Sequence, residues 1–93
     1  MKTSITVDLD VVSQIVDSFR KKAERPLTAE IIRAYMGHFV ANTGVSASRS
    51  WNAQFGKILS AHSATLGITK LAEENVTDDI GNVTTSARWA FVD

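Results

Sequence analysis

The spacing of the apolar residues changes once along this chain, and that change limits the folds open to it. They first recur at steps of three and four, as Leu9, Val12, Ile15, Val16 and Phe19. The same steps return in Ile31, Ile32, Tyr35, Met36, Phe39 and Val40, and again in Trp51, Phe55, Ile58 and Leu59. Such spacing puts one apolar face on each of three helices. Beyond "LGI" the step becomes two: in "SARWAFV", Ala87, Trp89 and Phe91 alternate with Ser86, Arg88 and Ala90. Strict alternation marks a strand with one buried face. The expected fold class is α+β, with three helices followed by a C-terminal β-hairpin and "SITV" as a short N-terminal strand.

Local signals set the expected boundaries. Asp8 caps a first helix over about 9–22, and "RKKAER" ends it with positive charge, which the helix dipole favours. Pro26 breaks the chain. Thr28 then caps a second helix over about 29–42, with Glu30 in its first turn and Leu27 stapling onto Ile32. "NTG" stops that helix, with Gly44 free to take the left-handed conformation. Ser46 or Ser48 caps a third helix over about 47–64, and a hairpin fills about 68–92. Thr69 to Glu73 and Ser86 to Val92 read as its strands, joined by the long acidic tip "ENVTDDIGNVTT". The expected core is Val12, Ile15, Val16, Phe19, Ile32, Tyr35, Met36, Phe39, Trp51, Phe55, Ile58, Leu59, Trp89 and Phe91.

With 93 residues the chain is read as one domain, residues 1–93. It has no cysteine, which excludes disulfides, thiol catalysis and cysteine-bound metal, and fits a cytoplasmic protein. No apolar run is long enough to span a membrane, and the aspartates of "MKTSITVDLD" interrupt any export signal. No catalytic signature or cofactor loop appears, so no enzyme is expected. His38 lacks a ligand at metal spacing on its helix, and the "DDIGN" turn is an incomplete calcium loop, so no metal is expected.

Ten basic and ten acidic residues cancel over the whole chain, yet they are segregated along it. Residues 26–70 hold Arg33, Arg49, Lys57 and Lys70 against Glu30 alone, while residues 71–93 hold Glu73, Glu74, Asp78, Asp79 and Asp93 against Arg88. The third helix has an unusual outer face of Arg49, Asn52, Ala53, Gly56, Ser60 and Ser63, with Lys57 at its margin. It carries no acid and little bulk. Gly56 inside a helix costs about 1 kcal/mol relative to alanine, and small residues there let something come close.

"GVSASRSWN" after "FVAN" resembles the turn and second helix of a helix-turn-helix, and the trailing hairpin resembles the wing of winged-helix proteins. The likeness is at superfamily level. Its spacing departs by one residue: with Gly44 as the turn glycine, Ser50 falls where an apolar anchor belongs and Trp51 comes one residue late. The resemblance implies a small DNA-binding regulator or accessory factor that lays helix 46–64 in the major groove of double-stranded DNA. Arg49 then pairs with a guanine and Asn52 with an adenine. Ser46, Ser48 and Ser50 bond phosphates near the helix N-terminus, and Lys57 and Arg33 touch the backbone. A homodimer is implied, because one helix specifies few bases.

A bland reading stands beside each of these roles: the serines cap, and the cations are solvated surface. Glu73, Glu74, Asp78 and Asp79 would be repelled by a DNA backbone. The second functional class is therefore a protein-interaction module, an adaptor or inhibitor gripping its partner through the small-residue face or the acidic hairpin.

Overall fold

The computed structural model describes residues 7–40 and 51–92. Among these the order is α1 (Leu9–Lys21), α2 (Thr28–Met36), α3 (Trp51–Ala61), the single turn α4 (Ser63–Leu66), β1 (Ile68–Thr77) and β2 (Val83–Phe91). The fold is α+β: helices followed by a C-terminal antiparallel hairpin. The expected strand at "SITV" and the connection 41–50, with Gly44, lie outside the described residues.

α1 begins as its sequence dictates. Oδ1 of Asp8 accepts from the main-chain N–H of Asp10 at 3.0 Å and of Val11 at 3.3 Å, filling donors that a helix start leaves open. Val12 and Val16, four residues apart, face inward and are fully buried, with Ile15 and Phe19 packed beside them. Arg20 at the far end is more than a solvated charge. It pairs with Asp17, donates to the Leu66 carbonyl at 2.8 Å and lies 4.8 Å from the centre of the Phe91 ring.

α2 differs from expectation at both ends. Its cap position is Leu27, one residue before Thr28. Leu27 is held in a β-bridge with Arg88, and the main-chain N–H of Trp89 donates to the Pro26 carbonyl at 2.8 Å. The extended backbone therefore persists through Leu27, and Glu30 Oε1 accepts the Leu27 N–H at 2.8 Å. Thr28 becomes the first helical residue, and its hydroxyl reaches across to β2. The helix then stops at Met36, well short of residue 42, because Gly37 takes the left-handed conformation with φ of 89°. That early stop turns the chain so that Phe39 reaches the core, while Met36, expected to be buried, is 42% exposed.

α3 buries Phe55 and Leu59. Trp51 stacks on Phe55 with centroids 5.2 Å apart, and Tyr35 of α2 leans on both rings. The Tyr35 hydroxyl accepts the Asp8 N–H at 3.0 Å, which ties this cluster to the start of α1. The expected continuous helix to residue 64 breaks at His62, and α4 carries the chain on to Gly67, whose φ of 70° starts the hairpin.

The hairpin spans the expected residues, but its strands are longer and its tip shorter than expected. Pairing runs from Ile68 with Phe91 to Thr77 with Val83, because the β-branched residues Val76, Thr77, Val83, Thr84 and Thr85 extend the ladder. One irregularity interrupts it: Lys70 faces Trp89 and Glu73 faces Ala87, so β1 spends three residues where β2 spends two. The turn proper is Asp78–Asn82. The buried Asp78 accepts from the N–H groups of Ile80 at 3.0 Å and Asn82 at 2.7 Å, and Gly81 has positive φ.

Trp89 and Phe55 are the largest fully buried side chains. The Trp89 indole N–H donates to Thr28 Oγ1 at 2.8 Å, and that hydroxyl donates in turn to the Ala87 carbonyl at 3.3 Å. Replacing Phe55 or Trp89 by alanine should cost about 3–5 kcal/mol, a large part of what holds a domain of this size. Trp89→Phe should still cost about 1–3 kcal/mol, because the buried Thr28 hydroxyl loses a partner. Urea midpoints of the three variants check this ordering.

Candidate nucleic-acid interface

α3 turns Phe55 and Leu59 inward, which sends Ala53, Gly56, Lys57 and Ser60 to the other side. That side stays open. It lines a cleft of about 510 Å³, whose remaining walls are the N-terminal turn of α2 and the Thr84–Ala87 stretch of β2. A Cβ on Gly56 would meet nothing within 4 Å among the described residues, so this glycine serves no close contact with them. Lys57 sits exposed on the rim, and Lys70 and Glu73 of β1, 3.8 Å apart, stand there too.

The other residues singled out by sequence fare differently. Ser46, Ser48, Arg49 and Ser50 lie outside the described residues. Asn52 donates through Nδ2 to the Val40 carbonyl at 2.7 Å and is partly buried, so its side chain ties the first turn of α3 to the segment after α2. Arg33 gives both Nε, at 3.2 Å, and Nη2, at 2.9 Å, to Asp79 Oδ1. Asn52 Nδ2 and the Nε and Nη2 groups of Arg33 are thus engaged inside the protein.

The charge segregation along the chain does not survive folding. Arg88 meets Glu74 through two hydrogen bonds of 2.8 Å, donates to the Arg25 carbonyl at 2.6 Å and lies 3.7 Å from Glu30. Asp79 takes Arg33, and its Oδ2 accepts the Phe39 N–H at 2.8 Å. Asp78 is turned into the hairpin turn. The hairpin therefore presents less negative field than its run of acids suggests, because Glu74 is paired with Arg88 of the facing strand, Asp79 with Arg33 of α2, and Asp78 is bonded to main-chain N–H groups of the turn. Sequence alone hides these matches. Arg88 and Glu74 are 14 residues apart, and only the irregular register of the hairpin brings them together.

Hydrogen bonds set the ionisation of these groups. The bond from Arg88 holds the Glu74 carboxyl below its usual range, and Glu74 in turn raises Arg88. For Asp79 the Phe39 N–H lowers the value most, with Arg33 adding to it. Among the described residues, no group of three His, Cys, Asp or Glu side chains is placed to hold a metal, and no helix is long and apolar enough to cross a membrane.

A carboxylate with a lowered folded-state pKa stabilises the fold fully above its unfolded value, and that contribution fades as pH falls through the folded one. The melting temperature should therefore hold steady above about pH 5 and drop below about pH 4, the ordinary carboxylate range. The double variant Glu74→Gln/Asp79→Asn should show a shallower drop in thermal melts across that range. Gly56→Ala should raise stability by up to about 1 kcal/mol, since the new methyl enters open space on a helix. A lowered urea midpoint for Gly56→Ala would mean that this face is already covered.

No family model matches the chain, and no curated protein or solved structure matches it either.

Proposed function

We propose that this chain is a small winged-helix-like DNA-binding protein, a regulator or accessory factor, that reads double-stranded DNA with the helix containing α3. One observation carries the reading: among the described residues, the acid-free outer face of α3 lines an open cleft beside α2 and the hairpin and is not packed against either. A helix that keeps a costly glycine on an uncovered face is suited to close approach by a large surface. The element order supports the same reading, because a helix pair followed by a hairpin resembles a helix-turn-helix with its wing. Neutralisation of the hairpin by Arg33 and Arg88 removes much of the repulsion that argued against it. Arg49, two residues ahead of Trp51 in sequence, is the base-reading residue in this scheme, and the exposed Lys57 contacts a phosphate. Ser46, Ser48 and Ser50 supply further phosphate contacts, and a homodimer supplies the second half-site. Asn52 acts here by positioning α3.

A specific observation favours a second reading as a protein-interaction module. Ile80 and Val83, at and beside the hairpin turn, are each 69% exposed, and apolar groups of that size suit a protein surface better than a phosphate backbone.

Fluorescence anisotropy with random and genomic duplexes across a salt series separates the two. DNA binding should weaken steeply with salt. Lys57→Ala should weaken all sequences alike and reduce the salt slope by about one unit. Arg49→Ala should cost about 1–3 kcal/mol on the preferred site and relax its sequence preference. Absence of binding by the wild-type protein at low salt would overturn the DNA reading in favour of the interaction module.

A further inference from the structure

Two donors converge on one carboxylate at the surface. Oδ1 of Asp79 accepts from Arg33 Nε at 3.2 Å and Nη2 at 2.9 Å, and Oδ2 accepts from the Phe39 N–H at 2.8 Å. A guanidinium fork and a main-chain N–H aimed at separate oxygens of one anion is a donor set that serves phosphate equally well. The guanidinium side of the site is accessible, for the Arg33 and Asp79 side chains are 45% and 37% exposed, while the Phe39 N–H lies behind the carboxylate. A pair this exposed is worth little in stability and can exchange. The hairpin, moreover, does not depend on the carboxylate to stay where it is. The main-chain N–H of Asp79 donates to the Phe39 carbonyl at 2.9 Å, and Asp78 alone closes the turn.

The place of these donors also matters. Phe39 directly precedes Val40, whose carbonyl accepts from Asn52 in the first turn of α3. The Phe39 donor thus stands one residue from the contact that positions the proposed reading helix.

We infer that the Arg33 guanidinium and the Phe39 N–H form a phosphate seat, which Asp79 fills while the protein is free and a DNA backbone phosphate takes over on binding. This rests on the DNA reading above and adds a control to it. Asp79 is a built-in competitor that weakens binding to every sequence and neutralises one exposed cation. Its displacement leaves the hairpin held by main-chain bonds.

The test compares the wild type with Asp79→Asn, Asp79→Asn/Arg33→Ala and Glu24→Gln, by anisotropy on one duplex at several salt concentrations. Glu24→Gln removes the same charge from an exposed position after α1 that does not line the cleft, and measures long-range repulsion. Asp79→Asn should bind roughly three- to tenfold tighter than Glu24→Gln, with a salt slope steeper by about one unit. Adding Arg33→Ala should abolish that gain. Equal affinities for Asp79→Asn and Glu24→Gln overturn the seat while leaving the DNA reading in place. No binding by any of the four proteins at low salt overturns both. The wild type gives an independent readout: on titration with the duplex, NMR signals of the Phe39 amide and the Arg33 Nε–H should shift together. If neither moves in a complex that forms, the seat is overturned even should the variants fail to fold.

Discussion

The indole of Trp89 joins the two halves of this protein, and most other features depend on that junction. Its ring is buried against the start of α2, its ring N–H bonds the Thr28 hydroxyl, and its main-chain N–H bonds the Pro26 carbonyl. Next to it, Ser86 Oγ accepts the Ala29 N–H at 2.9 Å. An open donor in the first turn of α2 is thus satisfied by a strand residue 57 positions away, not by a local cap. Helices this short are marginal by themselves in water, and the hairpin supplies the surface against which their apolar faces are buried. Fixing β2 in this way sets the Thr84–Ala87 stretch across an open cleft from the outer face of α3.

Electrostatics follows from the same junction. Once β2 is seated, Arg88 falls beside Glu74, Glu30 and the Arg25 carbonyl, and the turn falls beside Arg33 and Phe39. Individually these exposed pairs add little stability. Their larger effect is on the field. They bring Glu74 and Asp79 of the acidic end against Arg88 and Arg33, while Lys57 stays an exposed cation at the edge of the cleft.

Those parts of the fold that rest on local signals were legible in the sequence. Asp8 caps α1, the alternation around Trp89 marks β2, and the Phe55 and Leu59 spacing marks the inner side of α3. What escaped was decided at long range. Thr28 reads as a cap until Leu27 is seen bridged to Arg88, and Gly37 reads as a mid-helix residue until Phe39 is seen to need a turn to reach the core. The strand ends escaped because polar, β-branched residues at 75–77 and 83–85 pair with one another without any apolar alternation. In the candidate site, the small-residue face of α3 was visible from spacing, whereas the engagement of Asn52 and Arg33 was not. Both side chains look like surface donors until Val40 and Asp79 are brought to them.

The bonds of Trp89 to Pro26 and Thr28 have a consequence in time as well as in space. They connect residues 61 and more positions apart, so the core cannot close while the chain is still being synthesised toward Trp89. Until then α1, α2 and α3 hold apolar faces with no sheet to cover them, and only fleeting helix is available to the nascent chain. Closure must bring together ends separated by most of the sequence, a search with a large entropy cost that local helix contacts cannot shorten. Folding of these elements is then a nearly all-or-none event, completed by the seating of one indole.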